Sequence, residues 1–134
     1  MTLRITLRDG EAMIVNGAVL RSIGRTELCV ENNVTLLRGS EVMSPEHATT
    51  PARRLYYSCM LAYIDPDGAA GHYDDIAGYL AGLVNVLESS EAKAACASFA
   101  RKAATSDFYR ALADCRALIE YEADVFARAQ LQAV

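Results

Sequence analysis

The sequence is poor in the residues that chemistry at a protein site most often needs. It holds two histidines, His47 and His72, both far from any cysteine. Its four cysteines, Cys29, Cys59, Cys96 and Cys115, are scattered with no Cys-x-x-Cys pair. Metal sites need converging ligands, and this spacing offers no local set. All four cysteines are therefore expected as small core residues in a reducing compartment, and the histidines as capping or loop residues. A phosphate-cradling loop is also missing, because Asp67-Gly68-Ala69-Ala70-Gly71 lacks the Lys-Ser/Thr that must follow it. No metal, cofactor or catalytic constellation is expected, and the chain does not read as an enzyme. There is no uninterrupted apolar run of about 18 residues, the length a spanning helix needs. Polar residues interrupt the first thirteen positions, MTLRITLRDGEAM, so no signal peptide is expected. The reading is a cytoplasmic protein with no membrane partner.

What is present changes character once, at Ser44-Pro45. Before it, apolar and polar residues alternate in short runs separated by Gly and Asn; after it, apolar residues recur every three to four positions in long Ala-rich runs. The expected fold class is α+β, with a five-stranded antiparallel β module over residues 1–43 and a four-helix bundle over residues 44–134. The 134 residues, 52% of them hydrophobic, suffice to bury a core. Charge is divided unevenly. The first 43 residues carry five arginines against five acids, whereas the rest carry eight bases against twelve acids and hold the whole net charge of −4. A global field of that sign repels phosphates, so nucleic-acid binding would need a local cluster with specific contacts.

In the β half, Leu3, Ile5 and Leu7 alternate with Arg4, Thr6 and Arg8, which predicts a strand with one hidden apolar face and one basic outer face. Asn16-Gly17 between Ala12–Val15 and Ala18–Leu20 predicts a type I′ hairpin, because both central positions need positive φ. Further strands are expected from Thr26 to about Glu31 and from Val34 to Arg38, forming a meander or small barrel. So small a sheet must close on helices or on a second copy of itself. Arg4, Thr6 and Arg8 then either meet phosphates through guanidinium forks or serve as ordinary solvated residues that discourage edge pairing.

In the helical half, Ser44-Pro45 and Thr50-Pro51 each pair an N-cap residue with proline at the first helical position. A short turn followed by a helix from Pro51 to about Ile64 is predicted, stopped by Asp65-Pro66-Asp67-Gly68. Arg53 and Arg54 fall in its first turn, where the helix dipole disfavours cations. They either serve an RNA backbone or acidic partner, or pair with Glu46 or another local acid. Further helices are expected over Tyr73–Glu88, Glu91–Ala104 and from Phe108 to about Arg128, with short connections that imply an antiparallel bundle. All seven tyrosines lie in this half, and Tyr56, Tyr57 and Tyr63 are the candidates for a protein-binding surface.

The segments GEAMIVNGAV, LLRGSEVM and EHATTPARRLYYSCMLAYIDP resemble the FlbT family of flagellum biosynthesis regulators, with Thr50 to Tyr56 the most specific piece. That resemblance spans essentially the whole chain. It implies action after transcription, on the 5′ untranslated region of flagellin messenger RNA, limiting its translation or lifetime; in some members the implied effect is positive. Residues 3–43 are also similar to the translational regulator CsrA, in Thr6, Arg8, Gly10-Glu11 and a last strand ending at Arg38 before Glu41. Leu7 stands where that family has an arginine, and the middle loop is shorter. The likeness implies that the first and last strands of a homodimer present a site for a GGA-containing loop, with Thr6, Arg8 and Arg38 as contacts and Arg4 on the same face.

Two functions are therefore expected in competition. One is an RNA-binding post-transcriptional repressor of flagellin synthesis. The other is an adaptor or chaperone-like module whose tyrosine-rich helices bind flagellin or the partner regulator FlaF, with any effect on messenger RNA indirect. The acidic balance favours the second, and the arginines of the β half favour the first.

Overall fold

A computed structural model describes residues 3–132 of the chain, arranged as two compact units, the first ending at Val42 and the second beginning at Met43. The first holds five strands: β1 (Leu3–Leu7), β2 (Ala12–Val15), β3 (Ala18–Arg21), β4 (Thr26–Val30) and β5 (Leu36–Arg38). All pairings are antiparallel, but they form two sheets rather than one meander. β1 pairs with β4, setting Ile5 opposite Leu28, while β2 lies between β3 and β5 and sets Met13 opposite both Leu20 and Arg38.

Turn chemistry fixes these registers. Asn16 (φ 50°) and Gly17 (φ 85°) form the expected hairpin. The Asn16 side chain adds what a glycine could not: its Oδ1 accepts from the Thr35 amide at 2.9 Å, beside the bond that the Asn16 backbone N–H donates to the Thr35 carbonyl at 2.8 Å. Thr35 is thereby engaged with the turn, and β5 begins at Leu36 rather than at Val34. At the other end, the Gly10 amide donates to the Ser22 carbonyl and the Arg21 guanidinium to the Gly10 carbonyl, clamping the chain where it leaves β1.

Ile5, Leu7 and Met13 form one core cluster of this unit, with Val15, Val30 and Leu36 packed against it, and Ile14 and Leu37 are buried as well. Each fully buried side chain of this size contributes about 1.5–3 kcal/mol. Leu3, expected on the hidden face with Ile5 and Leu7, is 52% exposed, because it stands at the strand's start beyond the cluster. Cys29 is another correction. It is exposed, whereas Cys59, Cys96 and Cys115 are buried as expected.

The second unit opens with a 3₁₀ turn at Pro45–His47. The Ser44 hydroxyl bonds His47 Nδ1 at 2.9 Å instead of capping the turn. Four helices follow: α1 (Pro51–Ile64), α2 (Ala69–Val86), α3 (Ser90–Ala104) and α4 (Phe108–Gln132). Thr50 caps α1 through the Arg53 amide, and Ser89 caps α3 through the Ala92 amide. α2 starts four residues before the expected Tyr73. The Asp65 carboxylate accepts from Gly68, a 3₁₀ turn over Pro66–Gly68 forms, and the helix continues from it without a break.

The helices stack in the order α2, α1, α4, α3, with α1 packed on α2 and α4, and α4 packed on α3. Leu55 and Cys59 of α1, Phe99 of α3, and Leu112, Cys115 and Leu118 of α4 are completely buried. Outer position explains why the α2 stripe is only partly covered: Ile76 and Leu83 are buried, whereas Val84 is 43% exposed. Lys102 and Ser98 both reach the Asp114 carboxylate, at 2.9 and 3.0 Å, and pin α3 against α4. Among the described residues, no helix is long and apolar enough to cross a membrane.

Candidate nucleic-acid interface

Two four-residue segments, Arg8-Asp9-Gly10-Glu11 and Arg38-Gly39-Ser40-Glu41, repeat one local device. The Arg8 amide donates to Glu11 Oε1 at 3.0 Å, and the Arg38 amide donates to Glu41 Oε1 at 3.3 Å. Each carboxylate thus folds back on the backbone of the arginine three residues before it, as in a helix-start capping box. The first segment follows β1 and the second ends β5. Both arginine side chains are exposed, and neither is in an ion pair among the described residues.

These two segments meet in a cleft of about 340 Å³ lined by Thr6, Arg8, Glu11, Arg38, Gly39, Ser40 and Glu41. Gly39 has φ +55°, and a Cβ there would lie 3.1 Å from Glu11 Oε2, so glycine lets the second segment approach the first. The cleft contains two guanidinium groups, two carboxylates and two hydroxyls. Its formal charges balance, so it would hold an anionic strand by directed hydrogen bonds rather than by bulk field. Guanidinium forks suit phosphate and purine edges, carboxylates accept from base amino groups, and hydroxyls serve either role.

Thr6, Arg8 and Arg38, expected together, are brought together. Arg4 is exposed on the same face of β1 as Thr6, outside the cleft lining. That face is less basic than the alternation suggests. Pairing with β4 places Cys29 opposite Arg4 and Glu27 opposite Thr6, with the Glu27 carboxylate 3.9 Å from Arg25. Arg53 and Arg54 belong to the second unit. Arg54 Nε donates to the Ala48 carbonyl at 3.4 Å, and neither arginine pairs with Glu46 among the described residues.

Of the tyrosines expected at a protein surface, Tyr56 is only 3% exposed, with its hydroxyl accepting from Arg116. Its face of α1 lies inward, so it forms no surface for a partner. Tyr57 and Tyr63 are half-buried, and the Tyr63 ring lies 5.3 Å from that of Tyr109. Glu11, Gly39, Ser40 and Glu41 also line the cleft, beyond the residues expected there from sequence. The signal was there in the twice-repeated Arg-x-x-Glu with an internal glycine. Among the described residues, no group of three or more His, Cys, Asp or Glu side chains could hold a metal ion.

The family described as "Flagellar protein FlbT" matches residues 3–126. The "Flagellum biosynthesis repressor protein FlbT" of Caulobacter vibrioides is 33% identical over 123 residues, covering 91% of this chain and 87% of that protein. The "Probable flagellum biosynthesis repressor protein FlbT" of Agrobacterium fabrum is 31% identical over 130 residues, covering 97% and 87%. A relative of the same description from Rhizobium etli reaches 46% identity over 67 residues, half of this chain and 45% of its own length. No solved structure matches.

Proposed function

The chain belongs to the FlbT family of flagellar proteins, and from that premise we propose that it is a post-transcriptional regulator of flagellin synthesis that binds the 5′ untranslated region of flagellin messenger RNA. Repression, by blocking translation or promoting decay in the cytoplasm, is the direction carried by the relatives' names. The observation that supports direct RNA contact is the cleft that gathers Thr6, Arg8 and Arg38 with two carboxylates and a second hydroxyl.

Single-stranded RNA is read through exposed base edges and held through its backbone, and this cleft offers donors and acceptors for both. Arg4 extends the donor row along β1, giving three arginines with Arg8 and Arg38, and Arg53 and Arg54 are separate candidate RNA contacts on the second unit. The test is a titration of the flagellin 5′ untranslated RNA against an unrelated RNA at two salt concentrations. Three arginine–phosphate contacts would give a log–log salt slope of about −2 for a single strand.

A second reading rests on the −4 net charge, all of it in residues 44–134. In that reading the helical unit is an adaptor that binds flagellin or FlaF through a surface that includes Tyr57 and Tyr63, and its effect on messenger RNA is indirect. A salt-insensitive interaction with protein and no selective RNA binding would favour it.

A further inference from the structure

α4 outruns the helices it packs on. Its 25 residues span about 37 Å, against about 22 Å for the 15 of α3. Its buried residues stop at Glu122, and the remaining turns carry Phe126 at 47% and Leu131 at 77% exposure. A helical end of this length gains little from its own hydrogen bonds and would gain order from a partner covering its apolar face. Beside it, the corner where α2 passes into α3 leaves Val86 58% exposed. The two together form a groove of about 950 Å³ with Val86, Val125 and Leu131 among its apolar residues.

The charge around this groove is predominantly negative. Glu88, Glu91 and Asp124 line it against a single cation, Arg128, whose Nε is turned back onto the Asp124 carbonyl. Among the described residues neither α2 nor α4 has a basic residue in its last turn, so both C-terminal ends add partial negative charge there. The positive end of α3 also borders the groove, but Ser89 and Glu91 answer it.

From this combination we propose that the groove is the docking site for a basic amphipathic helix of a protein partner. Its leucine-like side chains would lie between Val86 and Leu131, with lysines or arginines facing the three carboxylates. An RNA strand is repelled by that rim. A second copy of this chain, itself at −4, brings no excess of the required charge.

The test uses the full chain and a synthetic, fluorescently labelled peptide of about 18 residues. Its leucines recur at steps of three and four, with lysines elsewhere, and a peptide of the same composition with the stripe scrambled stands beside it. Saturable binding is expected, weakened at least about tenfold by scrambling, by Val86→Gln/Leu131→Gln, and by Glu88→Lys/Glu91→Lys. Circular dichroism should show both variants folded, since all four side chains are exposed. Equal binding by the striped and scrambled peptides would overturn the proposal, as would wild-type affinity in the apolar double variant. A wild-type dimer that this variant abolishes in light scattering would identify a second copy as the occupant, and would overturn it too.

Discussion

The carboxylate of Glu122 on α4 accepts a 2.8 Å hydrogen bond from the amide of Ala52, the second residue of α1 and seventy positions earlier in the chain. That bond completes the first turn of α1. Pro51 has no N–H, the Arg53 amide is held by the Thr50 hydroxyl, and the Arg54 amide donates to the Thr50 carbonyl. An anionic group at this end also offsets the unfavourable placement of Arg53 and Arg54 against the dipole. Glu122 is only 5% exposed, so this bond is buried within the packing of α1 on α4.

Replacing Glu122 with alanine leaves a buried amide donor without its partner and should cost about 2 kcal/mol of stability. Glu122→Gln retains a carbonyl acceptor and should cost less. Urea denaturation of the three proteins checks the order. Equal midpoints for the alanine and wild-type chains would show that the bond contributes nothing.

Cysteine accessibility gives a second handle. Cys29 is exposed opposite Arg4 on the outer face of β1 and β4, while Cys59, Cys96 and Cys115 are buried. A maleimide should therefore modify one thiol per native chain and all four in denaturant. If RNA lies along the Arg4–Thr6 face, the target RNA should slow the Cys29 reaction and an unrelated RNA should not. Mass spectrometry of the modified peptide reads both outcomes.

Burial raises the Cys115 thiol well above its ordinary value, with the neighbouring Cys59 adding to the shift, and burial raises Cys96 as well. In both cases the folded state keeps a proton that the unfolded chain releases. Their contribution is thus fully present below the unfolded thiol value of about 8.5 and is lost as pH rises from there toward the folded value. Stability should fall as pH rises past that value, most of all through Cys115, whose thiol is raised the further of the two. Urea melts between pH 7 and about pH 10 should show this fall, and Cys115→Ala should make it shallower. A flat profile would contradict the assignment.

Much of the fold was legible where one local interaction decides the backbone. Asn16-Gly17 requires two positive φ values and obtains them, and Thr50-Pro51 starts α1 at the predicted residue. Expectations failed where a side-chain-to-backbone hydrogen bond redirected the chain. The Asn16 side chain engages Thr35 and shortens β5, and the Asp65 carboxylate turns an apparent stop into the lead-in of α2. Burial was harder to read than period. Tyr56 sits on an inward face of α1 that periodicity alone does not distinguish from an outer one, and Cys29 is apolar in sequence context yet falls on an outward face. The cleft was half visible. Its arginines and Thr6 follow from strand alternation and from the resemblance, but the carboxylates that shape it became meaningful only once the Arg8 and Arg38 segments were seen to face one another.

The central claim is that Arg38, with Arg8 and Thr6, contacts RNA directly. Fluorescence anisotropy of a labelled flagellin 5′ untranslated RNA, titrated with wild type and with Arg38→Ala at low and physiological salt, tests it most directly. Because Arg38 is exposed and in no ion pair among the described residues, the variant should melt with the wild type yet bind at least about tenfold more weakly, with a shallower salt slope. An Arg38→Ala protein that stays folded and binds this RNA as the wild type does, or a wild type with no preference for it over an unrelated RNA, would contradict the account.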